Sequence, residues 1–151
     1  MSGAAFGTPV PDGLTMPKMI FINLPVADLA ASTRFYEAIG CVKNQQFSTD
    51  QASAMVWSET ITFQLLTHDY FGIFSARPIA DAHKALSALY ALSADSRGAV
   101  DAMVEAAAGA SGKADVSPVK DMGFMYVRTF EDLDGNTFES MWLDISAMGA
   151  A

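Results

Sequence analysis

Residues 130–139 read Phe-Glu-Asp-Leu-Asp-Gly-Asn-Thr-Phe-Glu and join two apolar segments through an Asp-Gly-Asn turn. Gly, Asp and Asn are the residues that tight turns favour, so this stretch predicts a hairpin between strands at 124–130 and 137–144. Its ending has a counterpart earlier in the chain, because Thr62-Phe-Gln64 aligns with Thr137-Phe-Glu139 at an offset of 75. The stretch therefore indicates an internal repeat.

The segments that precede these hairpins repeat as well. Val26-Ala-Asp28 aligns with Ser93-Ala-Asp95 at an offset of 67. Both aspartates are good helix N-caps, and Gly40 is a good stop for the first helix. The first half is predicted to contain strands 18–25, 42–48, 54–58 and 60–67, with a helix at 29–39. The second half is predicted to contain strands 85–94, 113–117, 124–130 and 137–144, with a helix at 97–108.

Each half is therefore a βαβββ unit, and the predicted fold class is α+β. Because neither unit buries its sheet alone, we expect a single domain at 18–145 built from modules 18–67 and 85–145. Residues 1–17 are predicted to be a flexible N-terminal tail, and residues 146–151 resemble it in composition. Residues 68–84 are predicted to be an irregular connection, with Tyr70, Phe71 and Phe74 placed to close over a binding site.

Composition limits the possible partners and the compartment. The chain is 51% hydrophobic and carries a net charge of −8, which allows a core but disfavours nucleic acid and anionic membranes. We find no signal peptide and no membrane-spanning run. One cysteine, Cys41, allows no intrachain disulfide and is expected to be a buried structural thiol. These features favour a soluble cytoplasmic protein.

Three phrases carry a resemblance to a known family: Asn23-Leu-Pro-Val-Ala-Asp-Leu29, Arg34-Phe-Tyr-Glu-Ala-Ile-Gly40, and residues 130–139. With them the chain resembles the glyoxalase/bleomycin-resistance/dioxygenase (vicinal oxygen chelate) superfamily over residues 18–144. Leu133 stands where that family usually has proline. The resemblance implies two incomplete barrels that form a cup around a small molecule, and a homodimer. Among enzymes of this kind it implies a lyase, isomerase or dioxygenase, in a branch similar to lactoylglutathione lyase.

Catalytic members of this family hold a divalent metal at positions that correspond here to Phe21, Gln64, Ala88 and Glu139. Divalent metals need several carboxylate, imidazole or thiolate donors, and of these four residues only Glu139 supplies one. A small register change would bring in Asn23 and Tyr90, but still no histidine. His68 and His83 lie in the connection. We therefore expect no metal or other cofactor, and a bound divalent metal is the less favoured alternative.

Two hypotheses for the function follow, with a purely structural or regulatory role as a third. The first is metal-independent binding of a small, partly apolar or aromatic molecule in the cup. The second is a metal-dependent lyase, isomerase or dioxygenase that uses Glu139 as its catalytic group, although Glu139 is also interpretable as a buried carboxylate without a catalytic role. The cup is predicted to be lined by Phe21, Asn23, Met55, Trp57, Gln64, Leu66, Tyr90, Tyr126 (or Met125) and Trp142 (or Met141).

Overall fold

The computed structural model of the protein describes residues 16–148. Within this range the chain divides into two compact units, one ending at Ile79 and the other beginning at Ala80. The tail predicted at 1–17 falls outside the described residues apart from its last two positions. No helix in the part of the chain that is described is long and apolar enough to cross a membrane.

The first unit is a βαβββ unit followed by a short helix. Its elements are β1 (Ile20–Val26), α1 (Leu29–Ala38), β2 (Val42–Asn44), a 3₁₀ turn (Gln45–Phe47), β3 (Ala52–Val56), β4 (Ile61–Thr67) and α2 (His68–Phe74). The sheet has the strand order β1-β4-β3-β2, with β1 parallel to β4 and the other pairs antiparallel. Both β1 and β2 are therefore edge strands.

Helix α1 covers one face of this sheet. Asp28 starts the helix by accepting a hydrogen bond from the Ala31 amide, as its N-cap position requires. Phe35 and Tyr36 are fully buried, and the Tyr36 ring lies 5.5 Å from the ring of Phe63 on β4. Because side chains alternate along a strand, Gln64 and its neighbours in register point away from α1. We call the side of each sheet that faces away from its long helix the distal face.

The second unit repeats this plan with extra short elements. Its elements are β5 (Leu89–Ser93), α3 (Arg97–Gly109), β6 (Lys113–Ala114), β7 (Lys120–Asp121), β8 (Met125–Glu131), β9 (Thr137–Leu143) and α4 (Ile145–Met148). The strand order is β5-β9-β8-β6, and β7 also pairs with β8. The rings of Phe130 and Phe138 stack at 5.1 Å in its core, and the Ser140 hydroxyl donates to the Val100 carbonyl of α3. The predicted α+β class is confirmed.

The connection at 68–84 is not irregular throughout, which corrects the prediction. Its first part is helix α2, because the Thr67 hydroxyl accepts a hydrogen bond from the Tyr70 amide and so acts as an N-cap. The following strand begins at Leu89 and not at residue 85, since Lys84 and Ala85 are held in a turn by hydrogen bonds to the Asp81 carbonyl. Residues 145–148 form α4, where a loose tail was expected.

The offset of 67 residues that was predicted between the strand–helix segment of the first half and that of the second half is also wrong. Ser96, not Asp95, caps α3, since its hydroxyl accepts a hydrogen bond from the Ala99 amide. Ser96 stands 68 positions after Asp28. The registers agree with this, because Ile22 pairs with Phe63 in the first unit and Tyr90 pairs with Phe138 in the second. The counterpart of Phe21 is therefore Leu89 and not Ala88.

Candidate functional site

The distal face of the first sheet brings three of the predicted binding residues together. Asn23 on β1 is the register partner of Gln64 on β4, and Phe21 lies two residues earlier on the same side of β1. Ala54 and then Asn44 follow Gln64 across the sheet. No residue of these four strands that points to this face carries a charge, as the alternation of Phe21, Asn23 and Pro25 illustrates.

A cavity of about 470 Å³ lies at this face. It is lined by Asn23 and Leu66 from the sheet and by Phe71, Phe74 and Ser75 from α2 and its end. Helix α2 follows directly after β4 and packs against both β1 and β4, which places its aromatic side chains opposite Asn23. The Phe74 side chain is largely exposed, so the cavity opens to solvent on that side. The aromatic segment thus forms one wall of the cavity.

Three buried polar atoms on the same face have no hydrogen-bond partner within residues 16–148. They are Asn44 Nδ2, Thr62 Oγ1 and Gln64 Oε1. Most buried polar atoms in folded proteins are hydrogen-bonded, and an unpaired one costs about 1–3 kcal/mol. The unpaired buried polar atoms of the described residues therefore lie together on the distal face of the first sheet.

Glu139 lies on the distal face of the second sheet. Its neighbours in register are Ala91 on β5 and Thr129 on β8, and its carboxylate makes no hydrogen bond within the described residues. The Thr129 hydroxyl is engaged with the backbone of Ser117. Met125 and Met141 point to the same side of the sheet as Glu139. Met141 lies two residues after Glu139 on β9, Met125 lies four residues before its partner Thr129 on β8, and side chains alternate along a strand.

Tyr90, Tyr126 and Trp142 point to the opposite side of this sheet, towards α3. The Tyr126 hydroxyl donates to Asp101 of α3, and the Arg97 guanidinium lies 5.0 Å from the Tyr126 ring centre and 5.3 Å from that of Trp142. Tyr90 packs its ring against Phe138. The expectation that these three share a surface with Glu139 is therefore wrong, and the alternatives Met125 and Met141 take that place.

Met55 and Trp57 also lie away from the distal face of their sheet. Met55 is the register partner of Phe63 and is fully buried on the α1 side. A Cβ atom added at Gly40 would come within 3.3 Å of the Trp57 ring, which shows that the indole packs against the end of α1. Gly40 has a φ of +123°, a conformation that other residues rarely adopt. Trp57 therefore closes the α1 side of the core.

An ion-pair network centred on Arg128 was not predicted from the sequence. Its guanidinium contacts Asp101 at 2.9 Å, Asp115 at 2.8 Å and Glu105 at 3.2 Å, and so connects β8 to α3. Hydrogen bonds from Tyr126 and then Arg128 lower the pKa of Asp101, and the hydrogen bond from Arg128 lowers the pKa of Asp115. The Asp101 and Asp115 side chains are 47% and 40% exposed, so solvent screens these ion pairs and the network orients α3 while adding little stability.

A second arginine, Arg97, fixes the loop before β8. It makes two hydrogen bonds of 2.8 Å to Asp121 and one to the Gly123 carbonyl. The Arg97 side chain lowers the pKa of Asp121 to about 2, chiefly through these hydrogen bonds. Arg97 makes hydrogen bonds to Asp121 and lies over two aromatic rings. We therefore interpret this cluster as one that stabilises the structure of the second unit.

The residues that could hold a divalent metal do not fit one. Within residues 16–148 there is no group of three or more His, Cys, Asp or Glu side chains in a metal-binding arrangement. Glu139 has an alanine and an engaged threonine beside it, and Gln64 has Asn23 and Ala54. His83 is paired with Asp81 at 3.1 Å, and burial raises the pKa of the Cys41 thiol to about 12. Cys41 is thus an unreactive core residue.

Comparison with known proteins identifies solved structures with a similar fold. No protein-family model and no curated protein matches the chain. A glyoxalase-related enzyme from Fulvimarina pelagi is similar with a TM-score of 0.72 at 18% identity, covering 85% of this chain and 89% of that one. A hypothetical protein from S. aureus is similar with a TM-score of 0.70 at 23% identity, covering 85% and 95%.

A third solved structure, the fosfomycin resistance protein FosX from Listeria monocytogenes, gives a TM-score of 0.61 at 17% identity over 85% of this chain and 94% of that one. At these identities the likeness concerns the fold, and it agrees with the βαβββ repeat seen in both units. The resemblance predicted from the three sequence phrases is confirmed to that extent. The chain has the fold of the glyoxalase/bleomycin-resistance/dioxygenase proteins.

Proposed function

We propose that this protein binds a small, partly apolar or aromatic molecule in the cavity of its first unit, and that it does so without a metal. The observation that carries the proposal is the cavity of about 470 Å³ between Asn23 and the aromatic residues of α2. Ligand cavities commonly measure about 300–1,000 Å³ and combine apolar walls with a few polar groups. Leu66, Phe71 and Phe74 supply the apolar wall here, and Asn23 supplies a polar group.

Two further observations support ligand binding rather than a purely structural role. Phe74 lines the cavity and is 68% exposed, and an exposed aromatic side chain of this kind gains stability when a ligand covers it. Among the similar structures, FosX is named for fosfomycin resistance and others for bleomycin resistance, which are functions directed at small molecules. Fold alone does not fix function, so the cavity and not the likeness carries the argument.

The test is a thermal-shift screen of aromatic compounds followed by variants of α2. A ligand present at a hundred times its Kd stabilises the folded state by about 2.7 kcal/mol, which raises the Tm measurably. We expect Phe71→Ala and Phe74→Ala to weaken binding about tenfold, because each removes much of an apolar contact. Ile73→Ala is the matched control, since Ile73 lies on the same helix but does not line the cavity.

Chelation tests the metal-independent part of the proposal. We expect EDTA to leave both the Tm and the ligand affinity unchanged, because no described donor cluster fits a metal. A Tm that falls on chelation and recovers on adding zinc or manganese would contradict it. An absence of any binding that depends on Phe71 and Phe74 would contradict the cavity as the site.

The second candidate is an enzyme of the lyase, isomerase or dioxygenase class that uses Glu139. The observation that favours it is the Glu139 carboxylate, which has no hydrogen-bond partner within the described residues. Turnover of a hemithioacetal or a catechol that is lost in Glu139→Gln would establish it in place of the first. For either function the proposed compartment is the cytoplasm, where the single buried Cys41 stays reduced.

A further inference from the structure

Helix α2 carries three aromatic side chains, and two of them line the cavity. Phe71 and Phe74 lie three residues apart, a spacing that brings side chains together on one side of a helix. Tyr70 is not a lining residue, but its ring packs edge-on against Phe74, with 5.2 Å between the ring centres and 89° between the ring planes. One helical turn separates these two residues, so the helix itself brings their rings together. Tyr70 therefore sets the orientation of the Phe74 ring.

The rings at the cavity have few aromatic partners within the protein. Phe71 contacts no other ring within residues 16–148, and Phe74 contacts only Tyr70. In the core of the second unit, by contrast, the rings of Phe130 and Phe138 stack on each other and are fully buried. A ring that packs against another ring gains affinity beyond the apolar area that it buries. The cavity therefore presents aromatic surface with which the ring of a ligand would pair.

The other lining residues distinguish poorly between ligands. Leu66 is aliphatic and buried, and it offers only an apolar contact. Asn23 is an exposed residue, so water competes for its amide group. The Ser75 hydroxyl already donates to the Arg77 carbonyl at 2.7 Å and accepts a hydrogen bond from the Arg77 amide. Selectivity at this site therefore depends on the two phenylalanine rings.

We propose that the cavity selects planar aromatic ligands over saturated ligands of the same size, and that Tyr70 is a positioning residue for this selectivity. The inference rests on the proposed function, since it names the ligand class of the same cavity. A flat ring would lie against Phe71 and Phe74 and make aromatic contacts with them. A saturated ring would make only the apolar contact, which is proportional to the area that it buries. Tyr70 acts through Phe74, because it fixes the ring that the ligand meets.

Benzyl alcohol and cyclohexylmethanol are the two probes, because they share one carbon skeleton and one hydroxyl group and differ only in whether the ring is aromatic. Binding is measured by titration of isotope-labelled protein, following the NMR signals of Phe71 and Phe74. We expect benzyl alcohol to bind about threefold more tightly. If apolar area alone decided the affinity, cyclohexylmethanol would bind more tightly, because its saturated ring is the more hydrophobic of the two. The sign of the difference therefore tests the proposal.

Replacing each lining phenylalanine by leucine removes the ring and keeps an apolar side chain. We expect Phe71→Leu and Phe74→Leu each to lower the preference for benzyl alcohol by about two- to threefold, because each removes one aromatic contact. The affinity for cyclohexylmethanol should stay nearly unchanged. Phe124→Leu is the matched control, since Phe124 is a partly exposed phenylalanine of the second unit that does not line the cavity.

Tyr70 is tested by one variant that keeps the aromatic ring and one that removes it. Tyr70→Phe should leave the preference unchanged. Tyr70→Leu keeps an apolar side chain one turn before Phe74 but frees the Phe74 ring, so we expect the affinity for benzyl alcohol to fall about twofold while that for cyclohexylmethanol does not change. A purely structural role for Tyr70 would instead lower both affinities together, along with the Tm.

The outcomes separate this inference from the proposed function. Cyclohexylmethanol binding at least as tightly as benzyl alcohol, or a benzyl alcohol preference that survives both Phe71→Leu and Phe74→Leu, overturns the selectivity and leaves the cavity as a binding site. An equal loss for both probes in Tyr70→Leu overturns the positioning role of Tyr70. Failure of both probes to shift the signals of Phe71 and Phe74 overturns the selectivity and the proposed function together. A preference that the three leucine variants of α2 lower and that Tyr70→Phe retains establishes the inference.

Discussion

Gly135 shows at the scale of one residue what the hairpin turn requires. Its φ is +90°, and a Cβ atom added there would lie 2.6 Å from the His83 backbone nitrogen and 2.8 Å from the Ala82 carbonyl carbon. The turn itself is held by Asp132, whose carboxylate accepts hydrogen bonds from the amides of Asp134 and Asn136. Residues 82–83 therefore pack onto the turn, and only glycine leaves room for them.

We predict that Gly135→Ala lowers the free energy of unfolding by about 2–3 kcal/mol. Alanine is strained at a positive φ, and its methyl group overlaps backbone atoms that cannot rotate away. Equilibrium unfolding in urea, followed by tryptophan fluorescence, measures the change. Gly109→Ala is the control, because nothing lies within 4 Å of a Cβ atom at Gly109 and its place in α3 favours alanine. Equal losses in the two variants would contradict the close approach of His83.

Gly135 also shows which structural features can be predicted from local sequence and which cannot. Asp-Gly-Asn is a local pattern, so the turn could be predicted from its composition. The contact between Gly135 and His83 joins residues far apart in the chain, and no local pattern carries it. The face of a strand is limited in a similar way. Tyr126 and Met125 are adjacent, and choosing between them needs a register that is exact to one residue.

At the scale of elements, the start of α3 is where the sequence alignment of the halves went wrong. Asp95 and Ser96 are both good N-cap residues, so local preference alone does not separate them. The structure distinguishes them, because it is the Ser96 hydroxyl that accepts the hydrogen bond from the Ala99 amide. The one-residue difference also changes which residue of the second half corresponds to Phe21, and with it every family position carried over along β5.

We predict that Ser96→Ala lowers the free energy of unfolding by about 1 kcal/mol, the usual effect of losing an N-cap. Asp95→Ala, one position earlier, should change it by less than about 0.5 kcal/mol, as is common for exposed positions without such a contact. Urea unfolding of both variants, side by side with the unmodified chain, measures the difference. A larger loss in Asp95→Ala would restore the offset of 67 and contradict the cap seen here.

The elements themselves were largely predictable because their signals are local. Asp28 and Gly40 bound α1, and strands with alternating apolar residues were recognised to within a few positions. Helix α2 was missed, since seven residues rich in aromatic side chains lack a helical repeat long enough to recognise. The cavity was therefore only partly predictable. Its aromatic wall was anticipated from Phe71 and Phe74, but the helix that carries them was not.

At the scale of the whole molecule, the first strand in each sheet order carries an exposed apolar residue at an edge. β1 and β5 are each the first strand of their sheet order, and Ile20 on β1 and Leu89 on β5 are 53% and 58% exposed. Monomeric proteins usually protect an edge strand with charges or cover it. We propose that the protein is a homodimer in which these edges are buried.

Sedimentation equilibrium at two protein concentrations tests the dimer, and we expect a mass of twice the 16.1 kDa chain. Ile20→Lys and Leu89→Lys should each weaken association by about tenfold or more, because an unpaired charge would be buried in the contact. Val42→Lys is the matched control, since Val42 is equally apolar and 70% exposed but lies on β2, at the other edge of the first sheet. A monomeric mass at both concentrations would contradict the dimer. A dimer disrupted only by Val42→Lys would move its interface to β2, and would leave the exposed residues of β1 and β5 without a partner chain.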